Sequence, residues 1–178
     1  MHSMSADLEK TRLDISRSAI FSLRTDSSLR VVLTTISSDS HTWNLVFLQL
    51  YLEEQGHEVV NLGPCVPDEI IIAECRRTRA DMLIVSSVNG HGGSEGVRLV
   101  KLLRATSDLA DLPAVIGGKL GIRGCGNAAH TTSLLDAGFN AVFEAQSGPD
   151  DLGRFIESQS PRSRLHRLSI LDGERLHS

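Results

Sequence analysis

From Arg30 to Glu157 short apolar runs alternate with segments of helical spacing, and glycine, proline or asparagine closes most of them. The first run, Arg30 to Ile36, reads as a strand, and Leu45 to Leu52 as a helix that is apolar nearly all round and therefore buried. Gln55-Gly56 stops that helix, and His57 to Leu62 follows as a second strand closed by Gly63-Pro64. A second helix opens at Pro67-Asp68-Glu69, where proline suits the first turn and the two acids suit the positive end of the helix dipole. It runs to Thr78 with Ile70, Ile71, Ala73 and Cys75 as its apolar face. Asp81 to Val88 is a continuous apolar run of the kind buried on both faces of a parallel sheet, so it is expected at the centre. Asn89 to Ser94 reads as a glycine-rich loop, Glu95 to Thr106 as a helix, and Leu112 to Gly118 as a fourth strand ending in paired glycines. A helix near Asn127 to Ala137, a strand Ala141-Val142-Phe143 and a helix from Pro149 to Glu157 complete five βα units.

Such alternation predicts an α/β domain over residues 29–157, with a parallel sheet, helices on both faces and right-handed crossovers. Residues 1–28 form a lead-in, partly helical or mobile, in which Leu8, Leu13, Ile15, Ile20, Phe21 and Leu23 are the apolar positions. Residues 158–178 are rich in Ser, Arg and His and read as a mobile tail.

At 178 residues, 40% hydrophobic and 22% charged, the chain is long enough for one well-buried core and too short for two comfortable ones. A net charge of −4 with 4% aromatics leaves no basic stripe and no stacking platform, which argues against nucleic acid as a partner. Residues 1–10 lack an apolar signal core, and no apolar run approaches the ~18 to 20 residues of a membrane helix, so a cytoplasmic protein is expected. Cys65, Cys75 and Cys125 show no Cys-x-x-Cys spacing and read as ordinary reduced thiols.

Ligands of an open parallel sheet lie outside the carboxyl ends of its strands, where the strand order reverses. With the order 2-1-3-4-5 that crevice falls between the loops after the first and third strands, Ser37 to Asn44 and Ser86 to Ser94, with Gly117 to Gly121 farther along the edge. The first of these holds Asp39-Ser40-His41-Thr42-Trp43-Asn44, an imidazole beside a carboxylate. Taken singly the residues have plainer readings: His41 as a helix-capping loop residue, Asp39 as an Asx-turn, Ser86 and Ser87 as a strand end, Gly117-Gly118 as a tight turn. Trp43 reads as packed on the first helix, His57 and His130 as structural or solvated, and His91 as a polar contact near the crevice. Gly90-His91-Gly92-Gly93-Ser94-Glu95 breaks the dinucleotide fingerprint at its last position and follows the third strand, and no G-x-x-x-x-G-K-[ST] occurs. A response-regulator receiver would carry an aspartate at the end of the third strand, where this chain has Ser86.

Together, Asp39-x-His41, Ser86-Ser87-Val88 and Gly117-Gly118 resemble the D-x-H-x-x-G, S-x-L, G-G signature of cobalamin-binding domains. Within that family the chain is most similar to the small subunit of glutamate (methylaspartate) mutase, and the run Ser86 to Gly92, with Gly90 and Gly92, is part of the similarity. Two positions depart from the pattern. Asn44 stands where the family has glycine; asparagine is the residue next most tolerant of left-handed backbone angles and a strong helix N-cap. Val88 stands for leucine and keeps an apolar contact.

The resemblance implies a flavodoxin-like doubly wound sheet and cobalamin, most simply adenosylcobalamin, bound with its own base displaced. It implies His41 as the cobalt ligand, Asp39 as the acceptor that fixes its tautomer, and Ser86, Gly117 and Gly118 around the displaced nucleotide tail. Ser40, Thr42, Val88, Gly90 and Gly92 complete the implied cofactor contacts. The implied function is that of the cobalamin-binding component of an isomerase, a carbon-skeleton mutase. Its substrate residues belong to a larger β/α-barrel subunit, with a heterotetramer as the assembly. A corrinoid carrier for methyl transfer and a non-catalytic cobalamin-binding module remain as alternatives.

Overall fold

A computed structural model describes residues 28–121, 127–144 and 147–159. Five strands, β1 (Arg30–Thr35), β2 (Glu58–Asn61), β3 (Met82–Ser87), β4 (Ala114–Gly118) and β5 (Ala141–Glu144), form one sheet in the order β2-β1-β3-β4-β5. Every pairing is parallel. Between and after them come α1 (Trp43–Glu54), α2 (Asp68–Thr78), α3 (Gly92–Ala105), α4 (Asn127–Ala137) and α5 (Pro149–Gln159). This is the flavodoxin-like α/β arrangement expected from the alternation, with the continuous apolar run of β3 at its centre.

The two-residue period of each strand sorts its side chains between two cores. Val31, Leu33, Met82, Ile84 and Val115 face α1 and α5, meeting Leu45, Leu52, Leu152 and Ile156. Val32, Leu83, Val85, Ala114 and Ile116 face the other way, against Ile71, Cys75, Leu99, Leu103 and Leu134 of α2, α3 and α4. Among the described residues one face of the sheet therefore carries three helices and the other two.

That asymmetry corrects the expectation that the first helix is buried all round. Leu45 and Leu52 are buried, but Trp43, Val46, Phe47 and Leu50 form a stripe at i, i+3, i+4 and i+7 that faces solvent. The helix presents one stripe to the sheet, and no other described element covers its back. On α2, Ile71, Ile72 and Cys75 are the buried positions, whereas Ile70 and Ala73 are exposed; the true stripe is rotated by one residue from the expected one. The expected loop at Asn89 to Ser94 is shorter than its composition suggests, because α3 begins at Gly92. A Cβ on Gly92 would lie 2.8 Å from Ser87 Oγ, and one on Gly96 2.7 Å from Ile116 Cδ1, so these glycines let the helix lie close on the sheet. Close packing outweighs their poor helix propensity. The last helix continues two residues past Glu157, and the lead-in and the rest of the tail lie outside the described residues. No helix among the described residues is long and apolar enough to cross a membrane.

Candidate functional site

The carboxyl end of β1 turns through Ser37-Ser38, closed by the Asp39 amide donating to the Ile36 carbonyl at 3.0 Å. The turn brings Asp39 back under the sheet edge, where its carbonyl accepts from Thr35 Oγ1 at 2.7 Å and from the Cys65 amide at 3.1 Å. Its side chain is fully buried. A buried carboxylate must be satisfied, and this one accepts four hydrogen bonds. Oδ2 takes the amides of Val88 at 2.6 Å and Asn89 at 3.1 Å; Oδ1 takes the His41 amide at 3.1 Å and His41 Nδ1 at 2.7 Å. Burial alone would raise its pKa, but the bonds from Val88, His41 and Asn89 together outweigh it and hold the carboxyl below the ordinary value.

An ionised carboxylate only accepts, so His41 Nδ1 carries a proton, and in the neutral ring Nε2 is left with the lone pair. The His41 side chain is 60% exposed. The loop therefore presents one nitrogen donor to solvent in a fixed tautomer, at the end of a rigid strand.

Fasteners from the opposite face of the sheet hold this loop. Glu95 on α3 accepts from Ser37 Oγ at 2.9 Å and from the Ser38 amide at 3.2 Å. Arg98, one turn on, donates to Ser37 Oγ at 2.9 Å while gripping buried Asp68 of α2 through Nε at 2.7 Å and Nη2 at 3.2 Å. Asn89 Nδ2 donates to the carbonyl and hydroxyl of Ser38 at 3.1 and 3.0 Å. None of these contacts was foreseen from the sequence; the partners lie about thirty to sixty positions apart, beyond any local signal.

Beside the loop a cavity of about 310 Å³ runs down between α1, α5 and the carboxyl ends of β3, β4 and β5. Ser86, Val88, Gly117 and Gly118 all line it, as the sequence reading required of a single slot. Registry explains why: Ser86 pairs with Gly117 and Gly117 with Phe143, a row across three strands. The Ser86 side chain is nearly buried, and among the described residues its hydroxyl has no hydrogen-bond partner. Ile84, Val115 and Leu152 form an apolar floor, and Phe47, Leu48 and Asn44 of α1 form one wall. Val88 joins the two halves of the site, lining the cavity while its amide donates to Asp39.

The glycines answer to the protein as well as to the slot. A Cβ on Gly117 would meet the Phe143 carbonyl at 3.0 Å, and Gly118, at φ +112°, would drive one into the Ser87 carbonyl. Gly90 (φ +86°) turns the loop and Gly92 packs on Ser87 and Leu120; neither lines the cavity. Ser40 and Thr42 are exposed, and Thr42 is the N-cap residue of α1 without a side-chain cap bond. Thr42 also borders a second, shallower groove of about 560 Å³ between α1 and β2.

Asn44 is neither the N-cap nor left-handed: it is the second helical residue, and Cys65 and Arg79 are the described non-glycine residues with positive φ. Glycine's backbone freedom is thus not needed there. Trp43, expected to pack on the first helix, opens it and is 84% exposed. His57 is structural, with Nδ1 accepting the Leu29 amide at 3.2 Å, and burial lowers its pKa. His91 caps α3 from the surface, away from the cavity. Burial pushes the Cys75 thiol up to about 12, so it is inert; Cys125 lies outside the described residues.

The donor set fits a metal that brings its other ligands with it. Among the described residues no group of three or more His, Cys, Asp or Glu side chains is placed to hold an ion, whereas one oriented imidazole stands beside a slot for an organic appendage. Comparison with known proteins agrees. The B12 binding domain model matches residues 29–121, and the chain belongs to that family. Within it, the chain is similar to the glutamate mutase sigma subunit of Halobacterium salinarum, 32% identical over 118 residues that make up 66% of this chain and 78% of that protein. In structure it resembles a cobalamin-binding protein from Desulfitobacterium hafniense, with a TM-score of 0.57 and 24% identity over 71% of this chain and 58% of the other. A chemotaxis response regulator of Vibrio cholerae shares the fold (TM-score 0.53, 17% identity, 74% of this chain and 98% of that one), although Ser86 ends the third strand here.

Proposed function

We propose that the chain is the cobalamin-binding subunit of an adenosylcobalamin-dependent carbon-skeleton mutase of the glutamate mutase type, interconverting L-glutamate and L-threo-3-methylaspartate. The observation that carries the cofactor reading is the 2.7 Å contact of His41 Nδ1 with buried Asp39, which leaves Nε2 as an exposed donor next to the cavity. In this reading His41 ligates cobalt, and Asp39 fixes its tautomer and raises its basicity. Ser86, whose hydroxyl has no partner among the described residues, offers it to a ring nitrogen of the displaced base, and Val88, Gly117 and Gly118 enclose that tail. When bound, adenosylcobalamin supplies an adenosyl radical by homolysis of its cobalt–carbon bond. This chain's own residues ligate, orient and shield. The likeness to glutamate mutase sigma subunits supports the choice of mutase over methyl carrier or free-standing binding module.

The site occupies one open edge of the sheet, so the substrate is assigned to a separate, larger β/α-barrel subunit, in a heterotetramer, in the cytoplasm. Visible-absorption titration with cobalamin tests the binding: wild type should give a histidine-ligated, base-off spectrum, and His41→Ala a base-off spectrum without nitrogen ligation. Mixing with a candidate barrel subunit tests the activity. Methylaspartate formation only when both chains and adenosylcobalamin are present supports the mutase. Methyl transfer from methylcobalamin, or tight binding with no turnover, would replace it with the carrier or the module.

A further inference from the structure

Resting on the base-off reading of the site, we propose that Lys119 is the phosphate anchor of the cavity: it holds the phosphodiester of the cobalamin nucleotide tail. The argument combines the cofactor's covalent order with where charges stand in the protein. In cobalamin the chain of groups runs from the base through ribose, phosphodiester and aminopropanol to the corrin ring. If the base lies deep by Ser86 and cobalt lies outside at His41, the phosphodiester must cross the rim between them.

Lys119 occupies that rim. It follows Gly117-Gly118 directly, is exposed to solvent, and lines the cavity, whose floor of Ile84, Val115 and Leu152 is apolar and whose other polar side chains are Asn44, Ser86, Glu144 and Ser147. It is the cation among the lining residues. Of the two charged lining residues, the acid, Glu144, has a carboxylate oxygen engaged by Thr131 Oγ1 at 2.9 Å, whereas Lys119 has no ion-pair or hydrogen-bond partner among the described residues. An ammonium with no partner among the described residues, at the mouth of a slot with an apolar floor, is matched to a ligand that is neutral and aromatic at its tip and anionic behind it. Tail-less corrinoids gain nothing from it, so Lys119 selects complete cobalamins.

The test compares wild type, Lys119→Met and Lys119→Arg with two ligands: cobalamin, and cobinamide, which keeps cobalt and corrin but lacks base, ribose and phosphodiester. Lys119→Met should bind cobalamin about three- to tenfold more weakly, the range for a partly exposed charge-assisted contact, with Lys119→Arg close to wild type. Added salt should weaken wild type more than Lys119→Met, and cobinamide affinity should not change. Phosphorus NMR of bound cobalamin gives a second readout: the phosphodiester resonance should move on binding to wild type and return toward the free position in Lys119→Met. Wild-type binding with no loss in Lys119→Met, or a loss shared equally by cobinamide, overturns the anchor alone. Failure of wild type to bind cobalamin overturns the base-off reading beneath it.

Discussion

Replacing Asp39 by asparagine keeps the shape of the most connected side chain in the site and removes its charge. The carboxylate now accepts from two loop amides through one oxygen and from the His41 amide and ring through the other. An asparagine can serve one pair through its carbonyl, but its amino group then faces donors on the other side. Leaving one or two buried N–H groups without an acceptor costs about 1–3 kcal/mol each, so Asp39→Asn should lower stability by roughly 2–4 kcal/mol. For a chain of this size that is a fall in Tm of roughly 5–12 °C. The penalty should depend on pH with a definite sign. Because the folded Asp39 carboxyl titrates below its ordinary value, its contribution is complete above the unfolded carboxyl pKa of about 4 and is lost as pH falls through the folded value. Denaturant unfolding of wild type and Asp39→Asn, followed by circular dichroism at neutral pH and again below pH 4, measures both quantities. Cobalamin affinity should fall as well, by about 10- to 100-fold, since His41 loses the partner that orients it. A variant within about 0.5 kcal/mol of wild type at neutral pH, the usual spread for surface substitutions, would refute the reasoning, as would a penalty that stays constant with pH.

Other substitutions separate scaffold from site. Ser86→Ala removes a hydroxyl that has no partner among the described residues, so stability should change by less than about 0.5 kcal/mol while cobalamin binding weakens about five- to tenfold, read by parallel melting and absorption titrations. Gly118→Ala places a methyl against the Ser87 carbonyl at φ +112° and should cost about 2 kcal/mol or more, with loss of soluble yield as the first sign. Arg98→Met releases Ser37 and leaves buried Asp68 without its guanidinium; amide exchange at Ser37, Ser38 and Asp39 should accelerate while exchange in β3 does not.

The sheet was legible because its signals are local. The apolar run of β3, the glycine pair that ends β4 and the proline-led acidic start of α2 each carry their meaning within a few residues. The Asp39–His41 contact was legible for the same reason: the two residues are two positions apart, and their contact is an Asx-type local bond extended to the ring. Where the reading failed, tertiary packing decided. Nothing near Leu45 to Leu52 announces that, among the described residues, its face of the sheet carries two helices, so an apolar helix read as buried although Val46, Phe47 and Leu50 are exposed. Gly92 and Gly93 read as loop formers because propensity is a local quantity, while the reason they are helical, close approach to Ser87 and His130, is distant in sequence. The bonds by which Glu95, Arg98 and Asp68 hold the loop were invisible on the same ground, and so was the place of Lys119 on the cavity wall.

The central claim is that a nitrogen of this protein, His41 Nε2, takes cobalt. Reduced, cobalt(II) cobalamin is paramagnetic, and the nuclear spin of its axial nitrogen splits the EPR lines. Binding it to protein whose histidines carry nitrogen-15 should change that splitting from triplets to doublets in wild type and abolish it in His41→Ala. Triplets that persist with labelled wild-type protein would mean that the cofactor's own base keeps the metal, and His41 would lose the role on which this account rests.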